Sequence, residues 1–147
     1  MAVIGVDFSG KFPDAPPCYC VAVRGDRVRC VLMSGRAKRI VRLFRVRKEM
    51  ATAAHIYYTV KPLVKKQDVI LIDAEYDSAY LRRVRKYLEK TLEVSSIAMG
   101  YVSERAIERA DKLSKAFRKQ KRYDEKDPDI LAFVKMIHPA RGAYFTP

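Results

Sequence analysis

Two carboxylates stand where short apolar runs end. Asp7 closes Val3-Ile4-Gly5-Val6, and Asp73 closes Val69-Ile70-Leu71-Ile72, after which Ser78 opens a segment of helical period. Runs of this composition form strands, and chemistry is often carried at strand ends. If the two strands adjoin, the two acids form one cluster. Carboxylate oxygens suit Mg²⁺ or Mn²⁺, which keep bound water for a phosphate substrate. A third acid has to come from a later element. Helical geometry offers Glu104, Glu108 and Asp111, which share one flank beside an apolar stripe, and Asp127 and Asp129 follow further on.

The charge balance names the substrate class. Lys plus Arg number 30 against 17 for Asp plus Glu, a formal net charge of +13 in 147 residues. Such an excess predicts salt-sensitive attraction to a polyanion, with nucleic acid foremost. The cations are also grouped: positions 36–48 hold seven of them, and 118–122 hold four in five. Arg39, Arg42 and Arg45 in the first group, and Lys115, Arg118, Lys121 and Arg122 around the second, are the candidate phosphate contacts. A merely solvated basic surface would have the same composition.

Cysteine and hydropathy bound the setting. Cys18, Cys20 and Cys30 are an odd set with no signal peptide before them, so they read as buried apolar residues of a soluble, cytoplasmic protein. A zinc site would need His55 or His138 from other segments. No apolar run is long enough to cross a bilayer.

The elements that must position the acids follow from periodicity. The length suits a single domain over residues 1–147. Val3 to Asp7 reads as a strand, Lys11 to Pro17 as a proline-rich loop, and Cys18 to Arg24 with Arg27 to Met33 as a hairpin around Gly25-Asp26. Arg36 to Arg47 fits helix or extended edge equally well. Lys48 to Lys65 reads as a helix, Asp68 to Asp73 as a central strand covered on both faces, and Ser78 to Leu92 as a helix with Leu81, Val84, Leu88 and Leu92 on its stripe. Val94 to Met99 reads as a strand. Ser103 is placed as the cap of a helix to Arg122, with Ile107, Ala110, Ser114 and Phe117 inward, and a last apolar helix ends near Ile137.

Three antiparallel strands, then helix, strand, helix, strand, helix, is the order of a mixed α/β sheet with helices on both faces. It resembles the ribonuclease H-like fold, in which the first and fourth strands lie side by side. Within that fold the chain is similar to the catalytic domain of DDE-type insertion-sequence transposases. Their second acid sits in a phrase Asp-x-x-Tyr-x-Ser, matched by Asp73, Tyr76 and Ser78. Their third sits in a spaced Tyr, Arg, Glu, Lys signature, matched by Tyr101, Glu108 and Lys115, with Glu104 at the Arg position and Arg105 beside it. Asp73 and Glu108 are 35 positions apart (108 − 73).

The resemblance implies metal-dependent DNA phosphodiester cleavage and strand transfer. Asp7, Asp73 and Glu108 would hold two Mg²⁺ or Mn²⁺ ions, and Tyr76 and Tyr101 would pack near them. DNA is the implied partner, with homodimerisation or a separate DNA-binding partner as further expectations. Transposases of this kind carry a DNA-binding region ahead of the first acid, and six residues precede Asp7 here, which gives the expectation of a catalytic domain without that region. The runner-up is a ribonuclease H, whose four acids would be Asp7, Glu49, Asp73 and Asp127 or Asp129. A catalytically inactive basic module that binds nucleic acid is the non-enzymatic alternative.

Overall fold

The computed structural model describes residues 2–73, 77–100 and 104–139. Along the chain run β1 (Val3–Lys11), β2 (Ala15–Arg24), β3 (Arg27–Met33), α1 (Gly35–Leu43), α2 (Lys48–Val60), β4 (Val69–Asp73), α3 (Ser78–Thr91), β5 (Ser96–Gly100), α4 (Arg105–Gln120), β6 (Glu125–Lys126) and α5 (Ile130–Ile137). The strands make one six-stranded mixed sheet in the order β5-β4-β1-β2-β3-β6. β2 pairs antiparallel with β1 on one side and β3 on the other, while β4 lies parallel to β1, β5 to β4 and β6 to β3. An α/β chain with a mixed sheet is therefore present, as its element order suggests.

Each sheet face has its own core, because side chains alternate along a strand. On one side Ile4, Val6, Cys20, Ile70 and Ile72 pack with Met50, Ile56, Val84, Leu88 and Phe133 from α2, α3 and α5. On the other, Tyr19, Val21, Val23, Cys30 and Leu32 pack under Ala110 of α4. α2 is buried nearly all round, which its run Met50-Ala51-Thr52-Ala53-Ala54 permits.

Several boundaries differ from the sequence expectation. β1 runs on past Asp7 to Lys11, because β2 pairs with it all the way, and the ladder slips only around Gly10, whose φ is +101°. The proline-rich stretch is partly strand: Pro16 and Pro17 sit in that slip, where no ladder hydrogen bond is asked of them. The ambiguous basic segment is helical. Ser34 caps α1 by accepting from the Arg36 N–H, and Ala37 and Val41, four apart, are its buried contacts, whereas Leu43 is 75% exposed. α2 stops at Val60, five residues before the expected end. Ser103 lies outside the described residues, and α4 starts from Glu104 without a side-chain cap.

α4 lies directly on β1. A methyl group added at Gly5 would stand 2.4 Å from the Ala106 carbonyl carbon, so only glycine allows this approach. α4 ends at Lys121, in the left-handed region at φ 52°. The two-residue β6 was not foreseen. Asp124 pins it beside β3 by accepting from the Cys30 N–H at 2.7 Å, and Asp127 does the same from Ser34 at 2.7 Å.

Candidate active site

Alternation along β1 sends Ile4, Val6 and Phe8 to the larger core, and Gly5, Asp7 and Ser9 towards α4. The parallel register pairs Val6 with Ile72, so the next residues along the two strands, Asp7 and Asp73, fall side by side. Asp7 is 8% exposed, and one of its oxygens accepts the Phe8 N–H at 2.7 Å. α4 contributes a further carboxylate, Asp111, near enough to the Asp7 side chain to help raise its carboxyl.

Burial pushes the Asp7 carboxyl up from 3.8 to about 7, opposed by the Phe8 N–H and helped by the neighbouring carboxylates of Asp111 and Asp73. Asp111 in turn accepts from Lys115 Nζ at 3.1 Å, one helical turn away.

The seating of α4 on β1 explains why Asp111, rather than Glu108, comes level with Asp7. Ala106 and Ile107 rest on Gly5, and the Arg118 guanidinium comes within 3.2 Å of where a Gly10 side chain would start, so α4 runs along β1 in the same direction. From Gly5 to Asp7 the strand advances about 6.6 Å. From the Ala106–Ile107 level the helix advances about 2 Å to residue 108 and about 7 Å to residue 111. Asp111 is therefore level with Asp7, whereas Glu108 falls short and is exposed on the first turn of α4. The sequence places both acids on one flank; the docking level, fixed by Gly5, chooses between them.

The other expected acids have different partners. Glu49 pairs with Arg83 at 3.1 Å, on α2 and the far face of the sheet. Asp127 binds the Ser34 amide and hydroxyl, and Asp129 caps α5 through the Ala132 N–H at 3.1 Å. The four-acid set Asp7, Glu49, Asp73 and Asp127 or Asp129 is not brought together. Tyr76 and Tyr101 lie outside the described residues.

The candidate phosphate contacts divide into two groups. Lys115 and Arg118 follow Asp111 by one and two turns along α4, placing cations beside the acids, and Lys121 and exposed Arg122, stacked 5.0 Å over the Phe117 ring, continue the row. Arg39 and Arg42 are exposed on α1, which packs on the opposite core, and Arg42 and Arg45 line a separate 430 Å³ pocket with Lys38 and Lys48.

The cysteines and histidines take no part. Cys18, Cys20 and Cys30 are buried free thiols, and burial drives Cys18 and Cys30 up to about 12, which keeps them protonated. Cys30 faces the α4 side with Val21, opposite to Cys20. His55 is wholly buried between the Phe8 and Phe12 ring edges, its Nε2 2.8 Å from the Val31 carbonyl oxygen, and burial lowers it to about 4.

The Asp7, Asp73 and Asp111 donors are all hard oxygens, the chemistry that Mg²⁺ or Mn²⁺ prefers. As placed, no three His, Cys, Asp or Glu side chains among the described residues converge closely enough to hold an ion. No described helix is long and apolar enough to cross a membrane. Comparison with models of known protein families, with curated proteins and with solved structures finds no match to this chain.

Proposed function

We propose that this chain cleaves nucleic-acid phosphodiester bonds with Mg²⁺ or Mn²⁺, on a ribonuclease H-like scaffold akin to the DDE transposase catalytic domain, with Asp7, Asp73 and Asp111 as its acids. One observation carries the reading: buried Asp7 lies near enough to the carboxylates of Asp73 on β4 and Asp111 on α4 that burial and their charges hold it up to about 7. Perturbed carboxylates of this kind gather where a cation or proton is to be handled. The sheet order β5-β4-β1-β2-β3, with β4 and β5 parallel to β1, supports the scaffold assignment.

In this reading Asp7, Asp73 and Asp111 would hold the metal, which would supply an activated water and stabilisation of the leaving oxygen. Lys115 steadies Asp111, and Arg118, two turns along the same helix, holds a phosphate of the strand beside the acids. Only Asp7 is buried, while Lys115 and Arg118 stand exposed, where a phosphate can reach them.

The test is incubation of the purified protein with plasmid DNA and with an RNA–DNA hybrid, each with Mg²⁺, Mn²⁺ or EDTA. Metal-dependent cleavage is expected, lost in Asp73→Asn and in Asp111→Asn. Preference for the hybrid would move the reading to a ribonuclease H. A binding module without catalysis is favoured by the lack of a converged ligand triad among the described residues. Tight binding with no cleavage in either metal would establish it.

A further inference from the structure

On the sheet face away from Asp7, the start of α2, the outer face of α3 and the end of α5 enclose a cleft of about 470 Å³. It is lined by Arg47, Arg83, Lys86, Tyr87, Lys90 and His138. Among the described residues, four cations line it and no carboxylate does. Glu49, the acid in the first turn of α2, is already taken by Arg83. Arg47, Lys86 and Lys90 make no ion pair among the described residues. Elsewhere on α3 the pattern differs: Arg85 is neutralised by Glu89 within the helix.

A concave wall of one sign focuses its field and concentrates counter-ions far better than the same charges spread on a convex surface. The spacing suits an extended polyanion. Arg83, Lys86 and Lys90 lie along one flank of α3 over seven residues, about 10 Å, and a nucleic-acid strand carries one charge per about 3.4 Å of helix axis. The row is long enough to meet several successive phosphates. Tyr87 and His138 are half-buried at the cleft, and their rings give the bases of a single strand a surface for stacking.

We infer that this cleft binds the phosphodiester backbone of a single-stranded nucleic acid, as a second contact surface across the sheet from the Asp7 site. The inference rests on the proposed function only for the identity of the ligand.

Its test is binding of a labelled twelve-nucleotide oligothymidylate in EDTA, so that cleavage plays no part. Lys86→Glu with Lys90→Glu, both exposed, is compared with Arg27→Glu with Lys126→Glu, exposed residues of β3 and β6 that change the net charge equally. The cleft pair is expected to lose at least tenfold in affinity and to flatten the log-log salt slope by about two, while the control pair loses less than threefold. Lys86→Gln with Lys90→Gln should show the same ordering, and thermal melts verify folding. Equal losses in the two pairs would overturn the inference, since the attraction would then be diffuse charge. Displacement from the cleft by tripolyphosphate with no effect of the cleft pair on oligonucleotide binding would also overturn it. A protein that cleaves normally but binds identically with and without the cleft cations would sink this inference alone, and one that binds through the cleft without cleaving would sink only the proposed function.

Discussion

Asp7 is a residue whose placement works against the fold. Its folded value of about 7 lies above the ordinary 3.8, so its contribution to stability is complete below about pH 3.8 and is lost as the pH rises through 7. About three pH units at roughly 1.4 kcal/mol each give an upper bound of roughly 4 kcal/mol. Asp7→Asn keeps the shape without the charge. It should therefore be more stable than the parent at pH 8, by roughly 1–3 kcal/mol, and equal to it near pH 4. Urea unfolding at both pH values checks this. A destabilised variant at pH 8 would mean that the ionised carboxyl has a partner. Added Mg²⁺ should raise the melting temperature of the parent and leave that of Asp7→Asn unchanged. At the same scale, Asp111→Asn and Glu108→Gln separate the two candidates for the third acid: cleavage should fall at least a hundredfold in the first and stay within threefold in the second. The reverse result would return the role to Glu108 and discard the helix-level argument.

Among the elements, α4 depends on one residue of β1. Gly5→Ala would set a methyl 2.4 Å from helix backbone that has no flexible end to yield, so α4 must lift or slide. Overpacking of this sort costs about 1–3 kcal/mol. Because Asp111 reaches Asp7 only through that contact, cleavage should fall by more than the loss of folded protein explains. Denaturant midpoints and single-turnover rates measured together would show it. A variant of normal stability and normal rate would mean that α4 is not seated on Gly5. The opposite ends of the strands are tied by a different device. Asp68 is buried and accepts from Arg24 at 2.8 Å, the Lys65 N–H at 2.9 Å and the Ala2 N–H at 3.0 Å, and the Arg24 guanidinium leads in holding its carboxyl down to about 2. A lowered acid stabilises above its unfolded value, and that stability drains away as pH falls from about 3.8 towards 2. Asp68→Asn should abolish this part of the acid sensitivity, read as the pH midpoint of unfolding by circular dichroism.

For the whole molecule, a net charge of +13 predicts salt-dependent attraction to a polyanion but does not say which surface makes the contact. Three cationic surfaces compete: the α4 flank with Lys115 and Arg118, the α1 pocket with Arg42 and Arg45, and the α3 cleft. If the strand is cut at Asp7, Lys115→Ala with Arg118→Ala should reduce both binding and cleavage. Arg42→Ala with Arg45→Ala, across the sheet, should reduce binding alone. Filter binding across a salt series together with initial cleavage rates distinguishes them. Equal effects of the two pairs on cleavage would place the substrate path over α1 as well.

The sequence by itself determined the local grammar of this protein. Apolar runs ending in Asp7 and Asp73, the hairpin around Gly25, and the stripes Val84–Leu88 and Ile107–Ala110–Ser114 are short-range patterns, and each appears as a strand, a turn or a buried helix face. That the first two acids adjoin followed only from the resemblance to a ribonuclease H-like order, since β2, β3, α1 and α2 separate β1 from β4 along the chain. Elsewhere local pattern was not enough. Pro16 and Pro17 mimicked a loop because the ladder's slip is a property of two strands, and β6 is too short to leave a signature of its own. Helical geometry left Glu104, Glu108 and Asp111 as equals, and the resemblance selected Glu108 by its spacing from Tyr101 and Lys115. Only tertiary structure decided among them, since the height at which α4 rests on β1 is set by backbone contact at Gly5, and no periodicity along one helix records where another element touches it. The same holds for the α3 cleft, whose cations come from elements far apart in sequence and acquire a common field only once α2, α3 and α5 are packed together.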